Sequence, residues 1–402
     1  AGTDRYATSA EIAASIEDAD GGYDIATLVV ASGENFPDAL AAAGLATPAN
    51  DGALLLVESD SIPSSVLAEM NRIDDTVTQV YVVGGDAVIS DDVVADIEDI
   101  FADASVDRIA GDNRYETAIR VADEIGHDGT VILASGTSFA DAITVGGWAS
   151  DNETPILLAN ADGLPTETED ELSDLIDGGD GVVDRVIIIG GTAAVGSVEE
   201  DLVDMGLAPA GVSRVAGANR YATNLQWNVE NFSTDLYTPK NLSKTESLNL
   251  LGVTQLYASG ANYPDALAAA PLAAILDAHV ILVDPVSVGA SALTLATVGK
   301  TAITIDNSTL GNQVRTAIFD GAANGDGTDG FFGQNVWVVG GTNAVPTSVM
   351  STIEGAAGQS LGCSVILRKA NDNDDLTGDG IGPDLAIVSW DGNLQSDIAM
   401  DD

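Results

Sequence analysis

ASGENFPDAL, residues 31–40, returns as ASGTSFADAI at 134–143 and as ASGANYPDAL at 258–267. Each copy follows a short apolar run: TLVV at 27–30, TVIL at 130–133 and TQLY at 254–257. An apolar run closing on Ser-Gly and passing into an alanine-rich helix is the strand-to-helix turn of an α/β unit. Two further segments repeat around it in constant order. One is AGTDRYAT at 1–8, AGDNRYET at 110–117 and AGANRYAT at 216–223. The other is VYVVGGDAV at 80–88, VIIIGGTAAV at 186–195 and VWVVGGTNAV at 336–345. Three ordered motifs in triplicate mark units the size of small domains rather than solenoid turns. They divide the chain into units at 1–109, 110–215 and 216–362, with a tail at 363–402.

The first unit alternates two periodicities. Helices are predicted over residues 8–18, 38–46, 63–73 and 90–101, with Ser90 or Asp91 as an N-cap. Strands are predicted over 27–31, 53–57, 80–83 and 106–110. Short, continuously apolar strands between helices mean a parallel sheet covered on both faces, and right-handed crossovers restrict this to doubly wound forms. The expected fold class is therefore α/β, three tandem Rossmann-like doubly wound units. The third unit carries insertions at 232–252 and 321–334 and an added strand at 302–305. The strands entering the second and third units read VDRIAG and VSRVAG, and nothing comparable precedes Ala1. The tail segment SVILRKAN, with Arg368 and Ala370, matches them. The expectation is that the tail gives unit one its missing strand, closing the ring in cis or joining a neighbouring molecule in a filament.

Of the 402 residues, 14 are basic and 63 acidic, a net charge of −49 that excludes nucleic acid and anionic lipid as partners. A 45 % apolar content excludes a disordered chain. Only four lysines occur, all late (Lys240, Lys244, Lys300, Lys369), so the acidity reads as adaptation to high salt, where the Debye length falls to ~3 Å. Cys363 is the only cysteine, so no intrachain disulfide can form. The opening AGTDRYATSA lacks a basic segment followed by an apolar one, so the expectation is no signal peptide and a processed or intracellular form. The longest apolar stretch, 266–276, is too short to span a bilayer, and direct membrane insertion is not expected.

The trio G-x-x-R-Y, A-S-G-x-x-[FY]-x-D-A-[LI] and V-V-G-G resembles the cell wall binding repeat 2 family across all three units. The resemblance implies three Rossmann-like domains around a pseudo-threefold axis. It also implies non-covalent anchoring to anionic wall polysaccharide, usually beside a separate functional domain.

Arg5-Tyr6, Arg114-Tyr115 and Arg220-Tyr221 draw on a pool of ten arginines. A guanidinium fork beside an aromatic ring can grip a phosphate or uronate and stack on a sugar. Equally, each arginine can pair structurally with Asp38, Asp141 or Asp265 of the second motif. Ser32, Ser135 and Ser259 lack a repeated base, since His127 and His279 occupy no common position, so they read as turn residues rather than nucleophiles. The Gly-Gly pairs lack dinucleotide-binding spacing, and GDGTDG at 325–330 is an acidic loop, so no organic cofactor is expected. DLTGDGIGPD at 375–384 places Asp375, Thr377 and Asp379 at calcium-loop spacing, with Gly380 next and Asp384 beyond, which makes calcium a candidate. Sequons at Asn152, Asn231, Asn241 and Asn307 are candidate glycosylation sites.

These observations predict a non-catalytic extracellular protein on the surface of a halophile. It self-assembles into a filament or lattice with its own copies, adheres to cell-surface polysaccharide, or does both. One alternative is a monomeric glycan-binding anchor. A second is a hydrolase in unit three, using His279, Asp284 and Asp306.

Overall fold

A computed structural model describes residues 2–19, 24–126, 129–177, 183–232, 254–276, 278–285, 336–339, 345–346, 348–349, 364–369 and 385–390. Unit one runs α1 (Arg5–Ala19), β1 (Thr27–Ser32), α2 (Phe36–Ala41), β2 (Gly52–Val57), α3 (Ser64–Ile73), β3 (Gln79–Val83), α4 (Asp91–Ile100), β4 (Ser105–Ile109). Unit two runs α5 (Arg114–Ile125), β5 (Thr130–Ser135), α6 (Phe139–Ala142), α7 (Gly146–Asp151), β6 (Ile156–Ala159), α8 (Thr166–Asp177), β7 (Arg185–Ile189), α9 (Glu199–Asp204), β8 (Val212–Val215). Unit three contributes α10 (Arg220–Phe232), β9 (Thr254–Ser259), α11 (Pro264–Ala268), α12 (Ala270–Ile275), β10 (Ala278–Val283) and β11 (Val336–Val338). The tail holds β12 (Ser364–Lys369) and β13 (Leu385–Trp390).

Each unit is a parallel sheet, ordered β2-β1-β3-β4, β6-β5-β7-β8 and β10-β9-β11. Every residue of β1 and β2 is buried, so helices cover both faces, as continuous apolar strands require. In β5 the strand period of two separates two cores. Val131 and Leu133 enter a cluster confined to unit two, whereas Ile132 and Ala134 enter a core shared by all three units. Ser90 caps α4, its Oγ accepting the Val93 amide at 3.3 Å.

Three findings differ from expectation. The strand before AGDNRY is β4, and it pairs with β3 of unit one, just as β8 pairs with β7 of unit two. Unit one therefore lacks no strand. Among the described residues the tail is not what closes the ring: β12 pairs antiparallel with β13. Helices close it instead: α2 packs on α5, α6 on α10, and α11 on α1, one heterologous contact repeated round a pseudo-threefold cycle.

Third, the helix predicted over 38–46 breaks after Ala41 into a 3₁₀ turn, Ala42–Leu45. Units two and three break at the equivalent place. The break carries small residues to the axis. A Cβ on Gly146 would lie 3.2 Å from Ala270 Cβ and 3.8 Å from Ala43 Cβ, and one on Gly147 only 2.8 Å from Ala273 Cβ. The added strand expected at 302–305 and the 321–334 loop lie outside the described residues.

Candidate binding face at the threefold junction

The first motif opens a helix in every unit. Asp4 Oδ1, Asn113 Oδ1 and Asn219 Oδ1 accept first-turn amides, so α1, α5 and α10 begin at Arg5, Arg114 and Arg220. Behind each cap, the amide of Gly2, Gly111 or Gly217 donates to Thr8, Thr117 or Thr223 Oγ1. Each arginine Nη1 then donates to the carbonyl of the Ser-Gly turn in its own unit. Arg5 reaches Gly33, Arg114 reaches Gly136 at 2.5 Å, and Arg220 reaches Gly260 at 2.6 Å. The following tyrosine lies flat on that glycine, where a Cβ would fall 2.5, 2.9 and 2.5 Å from Cε1 of Tyr6, Tyr115 and Tyr221. Glycine is required there for close approach. First and second motifs thus repeat together because they touch.

The serines of the turn are turn residues, as expected. Ser32 Oγ accepts from Glu34, Ser135 Oγ from Thr137 and Ser138, and Ser259 Oγ from Ala261. The carboxylates of Asp38 and Asp141 point inward, toward the third motif. A Cβ on Gly84, whose φ is +126°, would lie 3.0 Å from Asp38 Oδ2, and one on Gly190 would lie 3.1 Å from Asp141 Oδ2. In a doubly wound sheet the ligand crevice opens at the carboxyl ends of strands flanking the switch point, here β1 and β3. Asp38 occupies it. Burial pushes the Asp38 carboxyl up to about 6, and the charge of Arg114 opposes that rise. Asp265 is likewise raised by burial, countered by Thr8 and by Arg5.

Those counter-charges cross between units. Arg114 of unit two acts on Asp38 of unit one, and Arg5 of unit one on Asp265 of unit three. The arginine-aspartate relation therefore crosses between units at both of these positions. The rings follow the same sense. The Arg5 guanidinium lies 5.9 Å from the Tyr263 centroid, and that of Arg220 lies 5.0 Å from Phe139. Phe36, Phe139 and Tyr263, one per unit, meet at centroid distances of 5.9, 5.9 and 5.4 Å. The Tyr263 hydroxyl donates to Gly33 O at 3.0 Å, tying unit three to unit one.

The sequence reading assigned this aromatic trio no role, although the position is aromatic in all three copies. All three rings are half-buried, Asn35 and Asn262 beside them are exposed, and Arg114 is exposed. The result is a face on which three rings meet, with the Arg5 and Arg220 guanidinium groups beside Tyr263 and Phe139, and Arg114 acting across the unit boundary on Asp38. Near it, Tyr221 Oη donates to Asp284 Oδ2 at 3.4 Å; burial, then Asp284, raises the phenol above its ordinary value.

The remaining candidates divide. Asn152 is half-buried, its Nδ2 donating to Trp148 O at 2.9 Å, and Thr154 of the same sequon is buried. Asn231 lies in the last turn of α10, but its side chain is outside the described residues, as is that of His279. Asn241, Asn307, His127, Asp306 and the loop with Asp375, Thr377, Asp379 and Asp384 lie wholly outside them. Among the described residues no cluster of His, Cys, Asp or Glu could hold a metal ion, and no helix is long and apolar enough to cross a membrane.

The described residues form a ring of three α/β units whose repeated residues converge on one face. Comparison with known proteins agrees. The model of the cell wall binding domain 2 family matches residues 1–94, 108–199 and 214–350, and the chain belongs to that family. A cell-wall-binding role and a cell-surface location follow from that membership. The chain is 29 % identical over 274 residues to N-acetylmuramoyl-L-alanine amidase LytC of Bacillus subtilis, covering 68 % of this chain and 47 % of that protein. It is 28 % identical over 258 residues to the amidase enhancer of the same organism, covering 62 % and 32 %. It thus spans less than half the length of either relative. Its fold is that of Cwp6 from Clostridium difficile (TM-score 0.65, 24 % identity, 89 % of this chain and 47 % of that one). Cwp8 of the same organism is comparable (0.64, 21 %, 89 % and 51 %).

Proposed function

We propose that this chain is a non-catalytic anchor that holds an anionic wall polysaccharide on the arginine-ringed face of its threefold junction. The observation that carries the reading is the convergence of Arg5, Arg114 and Arg220 with Phe36, Phe139 and Tyr263 on one face. A forked cation suits a phosphodiester or uronate, and an aromatic edge suits the apolar face of a sugar. In a chain of net charge −49, such a face is where a polyanion meets least repulsion. The second-motif carboxylates are drawn beneath it, and Asp38 is buried. Catalysis is disfavoured because the crevice beside β1 holds Asp38, and the turn serines face backbone amides rather than a base.

The acidic surface suits work in concentrated salt, where screening relieves self-repulsion. A single-particle anchor is favoured over a filament or lattice because the repeated inter-unit contact is satisfied within one chain.

Binding is measured by co-sedimentation with poly(glycerol phosphate), polygalacturonate and neutral dextran, in about 0.2 M and about 2 M KCl. The proposal expects one or both polyanions to bind and dextran not to. Arg5→Gln, Arg114→Gln and Arg220→Gln should each weaken binding by ~10-fold, measured at a temperature where thermal unfolding shows every variant folded. Equal affinity of wild type and all three variants would overturn the assignment of the face.

A further inference from the structure

The strand leading into each first motif belongs to the preceding unit, so the unit short of a strand is the third. β4 and β8 are parallel edge strands, each carrying one arginine two residues before the alanine of the first motif: SVDRIAG at 105–111 and VSRVAG at 212–217. The two arginines make the same bonds. Arg108 Nη1 donates to Gly84 O at 2.7 Å and to Ile89 O at 2.9 Å. Arg214 Nη1 donates to Gly190 O and Val195 O, each at 2.8 Å. Each arginine laces the Gly-Gly turn after the third strand onto the fourth.

Unit three has the same turn in sequence, VVGGTNAV at 338–345. Val345, the counterpart of Ile89 and Val195, is fully buried. Among the described residues, however, its sheet has three strands and β11 has a neighbour on one side only. The next strand along the chain, β12, reads SVILRK before Ala370, with Arg368 at the place of Arg108 and Arg214. β12 pairs on one side with β13, Arg368 opposite Ala386, and no other strand among the described residues lies along its second edge. Among the described residues β11 and β12 thus each present an edge, a row of backbone groups that can pair.

We propose that β12 is the fourth strand of unit three, parallel to β11, with β13 as a fifth, antiparallel strand and Arg368 bonding the carbonyls of the third Gly-Gly turn, Val345 among them. Val82 faces Arg108 and Ile188 faces Arg214 across the ladder, and the same register sets Val338 against Arg368. The occupant is the chain's own hairpin. The connections from third to fourth strand cover residues 84–104, 190–211 and 339–363, nearly equal lengths, and all exceed the dozen or so residues a parallel crossover needs. The proposal goes beyond wall binding and uses none of the residues of that face.

The test is amide hydrogen exchange on the full chain, comparing wild type with Ile366→Pro and Arg368→Ala. Proline in a strand flanked on both sides removes a donor and is not accommodated. The β11 amides that point away from β9 should exchange ~100-fold faster in Ile366→Pro, while those of β1 and β5 are unchanged. Loss of the β12–β13 pairing alone would leave β11 untouched, so unchanged β11 exchange overturns the proposal. Arg368→Ala, which leaves the hairpin backbone intact, should accelerate the same amides by ~10-fold. Light scattering should give one chain per particle, with protection independent of concentration. Protection that fades on dilution together with loss of a larger species would mean donation to a second copy, and would equally overturn the intrachain assignment.

Discussion

The inner joint and the outer edges of the ring are built from the same units under opposite constraints. At the joint, β1 is buried along its whole length, and the helices beyond it meet through Ala43, Gly146 and Ala270. At the rim, β4 alternates between exposed and partly covered residues and buries only Ile109. Residues at the joint have neighbours in their own unit and in the next, so a change there disturbs two units. Rim residues answer to one sheet and to water.

The sharpest way to break this contrast is to overfill the joint. Gly33→Ala drives a methyl group into the Tyr6 ring and the Arg5 stem, and should cost about 3–4 kcal/mol in denaturant unfolding. Gly85→Ala, with nothing within 4 Å, should cost under ~0.5 kcal/mol. Equal costs would mean that the joint is no tighter than the rim.

The next effect is on pH. Asp38 holds its proton more tightly in the folded than in the unfolded state, so its contribution is full below the ordinary carboxyl value of 3.8 and fades as pH rises to about 6. Wild type should lose up to ~3 kcal/mol relative to Asp38→Asn across that window, and nothing further above it. A difference that stays flat with pH would show a solvated Asp38.

At the rim, Arg214→Ala removes a guanidinium that bonds Gly190 O, Val195 O, Gly196 O and Glu199, and should cost about 2–3 kcal/mol. Phe139→Ala should cost about 2 kcal/mol, since the ring is only half-buried, and should also loosen Arg220. Leu67→Gln, at an isolated exposed apolar residue, should change stability by under ~0.5 kcal/mol.

Much of the single unit was legible because local rules govern it. The strand read over 27–31 is β1, and the Ser90 cap was predictable from residue type and position. The break after Ala41 was not legible. Gly44 alone, inside a run of alanines, does not mark a helix end, and the partner of that run, Gly146, lies across the axis in another unit. Nor could sequence order reveal that Arg114 acts on Asp38 of the previous unit, because each motif set contains a suitable aspartate of its own. VDRIAG was identified correctly as the last strand of the first unit, but because it abuts the next motif in the chain a matching strand was expected before Ala1, where unit one needs none. The aromatic trio did leave a signal in the constant aromatic of the second motif. It was passed over because a single ring in one unit gives no hint of two more facing it.

Three separate chains forming such a ring would be bound to identity, since any substitution would appear in every copy at once. Joined head to tail, the copies are free to diverge one at a time. Tyr263 shows this licence. Two phenylalanines and one tyrosine share the same position, and only the tyrosine has a hydroxyl to bond Gly33 of the first unit. The joint therefore has one seam unlike the other two, and a ligand approaching along the axis meets a surface with a distinguishable orientation. A linear polymer crossing it could be held in one direction rather than in three equivalent ones.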